Sequence, residues 1–569
     1  MTESQHIYLL GISCNIHESS AALVKDGLLI AAVEEERFTR RKHDSRFPVL
    51  SIEYCLREAG ISMGDLSYAG FYWQPWKGLL KRLWWLVRYF PASLQTFQGG
   101  KHWRGSVGTL LSHLAVPVKL WRMGFRGTFY FINHHIAHAA SAFLVSPHQS
   151  SAILTVDLCG EDCTTLVGRG SGNRITPIRR FYLPNSLGIF YAALTQYLGY
   201  RANVDEYKVM GLASYGHPRF ADTFAGMVRF EHGRLINDSS WFAFHTGGAN
   251  CYSQRFPEEF GPPCPDDSQV EAEPYRDVAA SGQKVLEDLL VEMAAWCRKE
   301  TGEEHLCMAG GVALNSVANG RLREQKIFKS IWIQPAASDA GCSLGIPFYI
   351  WHELLGHPRR FVMEHAYWGP AYSESEMQRA IGSSGLKFRR VDDVERQTAR
   401  LLSEGHVIGW YQGRMEWGPR ALGNRSILAD PRRAEMKDVV NNRVKFREPY
   451  RPFAPSVLEE DIEDYFHFTG TSPFMTFVCR VRDDRKDRIP AVTHVDGTAR
   501  IQTVSRKENP RYWSLLDEFR TLTGVPILLN TSFNVKGEPI VCTPDDAVRC
   551  FLKTDMDYLV LGDTICSRR

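Results

Sequence analysis

A repeated strand pattern constrains this chain more than any other feature. Leu9-Leu10-Gly11-Ile12-Ser13 leads through a polar turn into Ala21-Ala22-Leu23-Val24-Lys25-Asp26-Gly27. About 144 residues later, Ile153-Leu154-Thr155-Val156-Asp157 leads through Gly160-Glu161-Asp162 into Thr164-Thr165-Leu166-Val167. Each copy reads as strand, turn and returning strand. A duplicated βββ unit predicts two lobes of one fold with a nucleotide in the cleft between them.

The chain has 569 residues, enough for large cores and for two to four domains. Lys and Arg number 67 against 64 Asp and Glu, a near-neutral balance that gives no reason to expect a nucleic-acid partner. The 13 cysteines are scattered with no CxxC pair, as expected of reduced thiols in a cytoplasmic protein. Met1 to His6 lacks the basic start of a signal peptide and no apolar run reaches membrane-spanning length, so no integral membrane association is expected.

Gly127 to Ile132 alternates like a strand, Asn133 is a good N-cap, and Ala137 to Ala142 are small helix formers. The helix so predicted carries His134 and His138 on one face, with His135 turned about 100° away. An i, i+4 imidazole pair is spaced for one cation, and the remote Asp339 of Ser338-Asp339-Ala340-Gly341 is a carboxylate that can close the site. A pair of structural histidines is the alternative. Leu306 to Ala309 reads as a buried strand ending in Gly310-Gly311, with Asn315 at the start of a helix; glycines there let a backbone approach a nucleotide. Residues 256–275 read as a surface excursion, and residues 353–375, with Gly356-His357-Pro358 and Gly369-Pro370, as a domain boundary.

Beyond that boundary, Gly418-Pro419-Arg420-Ala421-Leu422-Gly423-Asn424-Arg425-Ser426 and Val444-Lys445-Phe446-Arg447-Glu448-Pro449-Tyr450-Arg451-Pro452-Phe453 embed cations among apolar and turn residues. Partly buried guanidinium groups need partners, and phosphate oxygens suit the Arg fork. Arg500, with Asn530 and Ser532 after the strand Val525 to Leu529, would extend an anion clamp.

These residues resemble O-carbamoyltransferases of the NodU/CmcH type, the group containing nodulation protein U and the cephamycin and tobramycin carbamoyltransferases. The matching motifs are His17-Glu18-Ser19-Ser20-Ala21-Ala22-Leu23, Glu34-Glu35-Glu36-Arg37-Phe38-Thr39-Arg40-Arg41-Lys42-His43, His134 to His138, Glu206-Tyr207-Lys208-Val209-Met210-Gly211-Leu212-Ala213, Gly418 to Ser426, Arg447 to Pro455 and Leu529 to Pro539. One departure is Ser338-Asp339, where Gly-Asp is commoner in relatives. The resemblance implies an α/β fold with a duplicated actin/Hsp70-like, TsaD-like transfer domain over residues 1–355 and an α+β YrdC-like domain over residues 362–569. It implies that carbamoyl phosphate and ATP, with Mg, meet at Arg420, Lys445, Arg451 and Arg500, with Asn530 and Ser532 as polar contacts, and form carbamoyladenylate. The N-terminal cleft would then hold Fe(II) on His134, His138 and Asp339, although Zn or Mn also suits these ligand types. His17 would take the acceptor hydroxyl's proton, Lys42 would stabilise developing negative charge, Gly310, Gly311 and Asn315 would border the nucleotide, and Asp157 would touch metal-bound water or acceptor.

The expected partner is a small-molecule hydroxyl acceptor such as a secondary metabolite. Residues 70–126 hold Trp73, Trp76, Trp84, Trp85, Trp103 and Trp121, which favours a bulky or aromatic one; an amphipathic helix over 77–88 would border the acceptor site, form a homodimer surface, meet a membrane interface or face the core. Two other readings stay open: synthesis of threonylcarbamoyladenosine on tRNA, against which the charge balance weighs, and a nucleotide-switched scaffold, which leaves the His pair and Arg cluster unexplained.

Overall fold

The computed structural model describes residues 6–88, 90, 107–244, 250–266 and 268–568. They form two compact units. The first comprises Met1–Glu35 and His43–Met363, and the second comprises Glu36–Lys42 and Glu364–Arg569. The passage at Met363 falls in a turn-rich stretch, whereas the inclusion of Glu36–Lys42 in the second unit has no compositional sign.

The first unit contains two five-stranded sheets. In chain order the strands of one are β1 (Tyr8–Ser13), β2 (Ser20–Lys25), β3 (Leu28–Glu34), β4 (Tyr68–Phe71) and β5 (Thr128–Phe131), arranged β3-β2-β1-β4-β5. The other is built from β6 (Ser150–Gly160), β7 (Cys163–Ser171), β8 (Arg174–Tyr182), β11 (His305–Ala309) and β12 (Ser330–Ile333), arranged β12-β11-β6-β7-β8. A small hairpin of β9 (Val228–Glu231) and β10 (Arg234–Asn237) stands apart. Numbered within each copy, both sheets have the order 3-2-1-4-5. The first three strands run antiparallel and the last two lie parallel to the first in both. The repeat predicted from Leu9 and Ile153 is thus a repeat of topology, and the fold is the duplicated actin-like plan. Central strands buried on both faces become near-continuous apolar runs; Leu9, Leu10 and Ile12 in β1 and Ile153, Leu154 and Val156 in β6 are fully buried.

Two helices bring the site together. His134–Phe143 starts where predicted, with the Asn133 side chain accepting from the Ile136 N–H. Asp339–Tyr349 crosses it so closely that a Cβ on Gly345 would lie 1.9 Å from the Ala137 carbonyl oxygen, so only glycine fits there. Most described residues of 256–275 are exposed, as expected of a surface excursion, and the segment is anchored by Phe256 and Phe260, which are buried against Tyr197 and Phe224. The expected helix of 77–88 is Leu79–Arg88.

The second unit is α+β around a nine-stranded mixed sheet of β13 (Lys387–Arg390) to β21 (Thr564–Ser567), which includes β14 (Ile408–Tyr411), β17 (Phe477–Arg480) and β20 (Tyr558–Leu561), in the order β13-β21-β20-β14-β15-β19-β16-β18-β17. At its centre β15 (Arg425–Ala429), β19 (Ile527–Ser532), β16 (Ala454–Leu458) and β18 (Thr498–Val504) lie side by side. The short π-helical turn Asn441–Lys445 precedes β16 and ends in Phe446, whose φ of 46° is left-handed.

Candidate functional site

In the first unit the rings of His134 and His138 are buried and their Nε2 atoms lie 3.1 Å apart. Asp157 Oδ2, from the end of β6, is 3.1 Å from one and 3.0 Å from the other. Asp339 Oδ1, at the start of its helix, is 3.7 and 3.8 Å from them. Four lone-pair-bearing atoms thus converge, which neutral imidazoles and carboxylates do not tolerate without a cation or a proton among them. Ligands about 2.1 Å from a metal stand roughly 3.0–3.4 Å from one another, close to the spacing seen here. The donor set therefore fits a divalent transition metal.

His135 shows the contrast. Its Nε2 donates to the Cys163 carbonyl at 3.1 Å, its Nδ1 meets the Thr155 hydroxyl at 2.7 Å, and burial holds it well below the ordinary histidine range. It is a satisfied neutral core histidine, whereas the Nδ1 atoms of His134 and His138 are buried with no hydrogen-bond partner among the described residues. Packing holds the His134 ring: Tyr72 and Trp73 each lie 5.3 Å from it, and a Cβ on Gly160 would fall 2.0 Å from its Cδ2. Burial alone would lower His138, but Cys342, Asp157 and Asp339 raise it well above the ordinary value. Cys342 also lies within ligand reach, yet burial pushes its thiol up to about 12, so carboxylates supply the charge of the site.

Asp157 thus joins the metal group directly, beyond the water or acceptor contact expected of it. Its Oδ1 is 3.1 Å from where a Gly311 side chain would begin, so Gly311 makes room for an acid. Gly310, at φ +95°, faces the β6 backbone, where a Cβ would sit 2.2 Å from the Val156 oxygen. Asn315 caps its helix through Ala318 N–H and pairs with Gln283 at 2.9 and 3.1 Å. For Gly310 and Asn315 the contacts present are within the protein itself.

His17 lies in the β1–β2 turn with Glu18 and His43 around it. Its Nε2 donates to the Asn203 carbonyl, leaving Nδ1 as the basic nitrogen, 3.8 Å from Glu18 Oε1. His43 Nδ1 is 3.5 Å from the same oxygen, and Ser338 Oγ donates to Glu18 Oε2. Burial would raise Glu18, but His43, His17 and Ser338 outweigh it and hold the carboxyl down at about 2. Glu206, which accepts from the Asn203 N–H, is pushed by burial up to about 7. Opposed carboxyl shifts beside two imidazoles are the pattern of an acid–base site.

In the second unit Lys445 is 4% exposed. Its Nζ donates to the Ser532 carbonyl at 2.8 Å and hydroxyl at 3.2 Å, and to the Asn534 carbonyl at 2.9 Å and Oδ1 at 2.6 Å. Burial, with Arg447 and Arg451 nearby, drives the ammonium well below its ordinary range. Burial and the charges of Arg420, Arg447 and Arg451 do the same to Arg500, whose buried Nε has no hydrogen-bond partner among the described residues. Arg420, Lys445, Arg451 and Arg500 are therefore brought together, with Glu448 3.5 Å from Arg451 as an acid beside them.

One expectation needs correction here. Asn530 turns into the interior, where its Nδ2 donates to Ser456 and Gln502 at 3.0 Å each. Arg425 is fully buried over the Tyr411 ring and donates to carbonyl oxygens of Gln412, Asn424, Pro370 and Gly413, a structural role. Lys42 belongs to this second unit and not to the unit with His17.

The chain matches the family described as Carbamoyltransferase N-terminus over residues 8–347 and that described as Carbamoyltransferase C-terminus over residues 399–568. The chain belongs to the carbamoyltransferase family. Among its relatives, the uncharacterized protein sll1178 of Synechocystis sp. is 41% identical over 99% of this chain and 97% of its own length. Nodulation protein NolNO of Sinorhizobium fredii is 40% identical over 97% and 79%, and nodulation protein NolO of Bradyrhizobium diazoefficiens 44% over 77% and 79%. The protein is thus a transferase similar to the NodU and NolO proteins. Among the described residues no helix is long and apolar enough to cross a membrane.

Glu206 gives this carbamoyltransferase a testable pH response. Folded, the carboxyl keeps its proton to about pH 7; unfolded, it ionises near its ordinary 4.5. The stability it contributes is fully present below the unfolded value and is lost as pH rises through the folded one. Glu206→Gln, which cannot ionise, is expected to remove about 2 kcal/mol of the stability loss between about pH 5 and pH 7.5. Melting curves at the two pH values measure this, and parallel slopes in variant and wild type would show that Glu206 does not titrate there.

Proposed function

We propose that this protein is an ATP-dependent O-carbamoyltransferase that works in two half-reactions. In the second unit, water hydrolyses carbamoyl phosphate to carbamate and inorganic phosphate, and the carbamate oxygen attacks the α-phosphorus of ATP, carried with Mg. Pyrophosphate leaves and carbamoyladenylate remains. In the first unit an acceptor hydroxyl attacks the carbamoyl carbon, and AMP leaves.

The observation that carries this reading is Lys445. A buried ammonium is held by four oxygens of Ser532 and Asn534, none of them a carboxylate, while Arg447 and Arg451 add further positive charge. Buried like charges repel at a cost of several kcal/mol unless an anion joins them, and a substrate with several phosphates supplies that anion.

In the first unit His134, His138, Asp157 and Asp339 would hold a divalent metal, Fe(II) by the resemblance, whose chemistry is Lewis-acid neutralisation of the phosphate of departing AMP. The hydroxyl proton is accepted at His17 Nδ1, the nitrogen left basic by the Asn203 carbonyl, and ionised Glu18 stabilises the imidazolium that forms. The acceptor is a natural product with a free hydroxyl. Trp73 is buried against His134, whereas Trp76, Trp84 and Trp121 are exposed and offer flat apolar surface; the Trp85 side chain and Trp103 lie outside the described residues.

The test is pyrophosphate release by the full chain with ATP, in the presence and absence of carbamoyl phosphate. Release that depends on carbamoyl phosphate is expected, and release indifferent to it refutes the reading.

A further inference from the structure

Residues 72–127 connect the neighbouring parallel strands β4 and β5. This connection carries nine Lys and Arg and no Asp or Glu, although the rest of the chain has more acidic than basic residues. A segment that merely covers a sheet mixes both signs on its solvated face. Charge of one sign over such a length suits a partner of the opposite sign.

The helix Leu79–Arg88 within it is turned outward. Leu79, Val87 and Trp84 fall within an arc of about 140° around its axis, and Lys81 lies outside that arc. A helix that covers a core presents such an arc inward and its cations to water. Here Lys81 faces the protein, with Nζ 3.8 Å from Asp162 and 5.1 Å from the centre of the Tyr182 ring, and a Cβ on Gly78 would lie 3.2 Å from the Asp162 Cβ. The apolar arc is left outside: Trp84 is 57% exposed, Val87 72%, and Phe90, just beyond the helix, 67%. Of the sites expected for this helix, the core is therefore excluded.

A second apolar stripe follows in the same connection. Leu111, Leu114, Val118 and Trp121 recur every three or four residues along the helices Val107–Leu114 and Val116–Arg122, and all four are exposed. His113, Val116 and Leu120 are buried and fasten these helices to the body of the unit. The Arg126 guanidinium lies 5.1 Å from the centre of the Trp121 ring, and Lys77 and Arg122 are exposed. Single exposed apolar side chains are ordinary, but two stripes accompanied by cations mark an interaction surface. Nucleic acid would answer the charge and leave Leu and Val unanswered. A second copy of the chain would set cation against cation across a two-fold axis. An anionic bilayer presents phosphate and carboxylate groups above acyl chains, which answers both. No helix among the described residues is long and apolar enough to cross it, so the contact is one that lies in the interface.

We propose that the β4–β5 connection is a docking surface for an anionic lipid bilayer, in which Trp84, Val87, Leu111 and Trp121 enter the boundary between headgroups and acyl chains while Lys77, Arg122 and Arg126 meet the anionic headgroups. Docking of this kind goes beyond carbamoyl transfer and does not depend on it.

The experiment floats the full chain with vesicles of phosphatidylcholine alone and of phosphatidylcholine with about 30% phosphatidylserine. The wild type is expected to bind the anionic vesicles at least tenfold more tightly, and to lose most of that binding as salt rises from about 0.1 M to about 0.5 M. Val87→Glu is expected to weaken vesicle binding at least tenfold with its melting temperature unchanged, and Val87→Leu to bind as the wild type does. In wild-type protein, anionic vesicles are also expected to slow amide exchange in peptides from 79–90 and 107–122, read by mass spectrometry, which needs no variant to fold. Equal binding to neutral and anionic vesicles, undiminished binding by folded Val87→Glu, or slowed exchange only outside these peptides overturns the inference. A dimer in solution that Val87→Glu dissociates, without binding to vesicles, makes the surface a subunit interface and overturns it equally.

Discussion

Lys445→Ala and Arg500→Ala are each expected to lower carbamoyl-phosphate-dependent pyrophosphate release at least a hundredfold. Removing one preorganised donor from a site of developing charge typically costs two to three powers of ten, and here the lost group is a full charge in a water-poor setting. Stability should move little or even rise. Each side chain is a cation driven well below its ordinary range by burial and like charge, so its removal relieves repulsion that partly offsets the lost packing. The measurement pairs pyrophosphate release with melting temperature. Normal release in folded variants would refute the assignment of this cluster, and equal loss of release and of folding would make both residues structural.

The second expectation is a clean separation of the half-reactions. His138→Ala and Asp339→Asn should form carbamoyladenylate within about threefold of wild type, retain little bound metal, and lose transfer to the acceptor by two orders of magnitude or more. The argument is one of location, since among the described residues the groups of metal-type ligands lie in the first unit and the cation cluster lies in the second. Asp339→Asn keeps the shape of the side chain and removes one charge from the converging set, so it guards against a cavity left by His138→Ala. Metal content by elemental analysis and adenylate by mass spectrometry decide the matter. Loss of adenylate in both variants would mean that the two sites do not act separately.

What the sequence made legible was whatever local pattern determines. The helix of His134 and His138 follows from Asn133 and the alanines after it, and the paired hairpins follow from their alternation. Asp157 was visible as the last residue of a strand, but its convergence on both imidazoles depends on a helix crossing fixed by Gly345 some two hundred residues away. Glu18, Glu206 and His43 all stood inside recognisable motifs. Their opposed environments arise from burial and from neighbours such as Ser338 and Asn203, which no spacing rule connects. Asn530 shows the reverse error, and Arg425 the same ambiguity, because a polar residue near Gly and Pro looks the same in sequence whether it faces a ligand or the backbone of its own sheet. The packing of Glu36–Lys42 within the second unit was the least legible feature, since its charges are those of any exposed loop.

The segment Glu36–Lys42, which packs within the second unit, also bears on how the chain is made. Arg40 must find the Ile540 carbonyl, 500 residues later. On a ribosome the segment emerges with the first hairpins, long before that partner exists. Closing so long a loop costs little more than closing a short one, but the wait is slow and leaves surface unpaired. Early folding of the first unit shortens the search, because it fixes both ends of the segment: Glu35 is held by the N–H groups of Leu50 and Ser51, and His43 stands against Glu18. A fragment beginning at Glu364 would lack this partner and expose the apolar cluster of Met415, Ala421, Ile540 and Cys542, a predictable seed for aggregation. A segment of seven residues from before the break at Met363 thus completes the packing of the part of the chain that follows it.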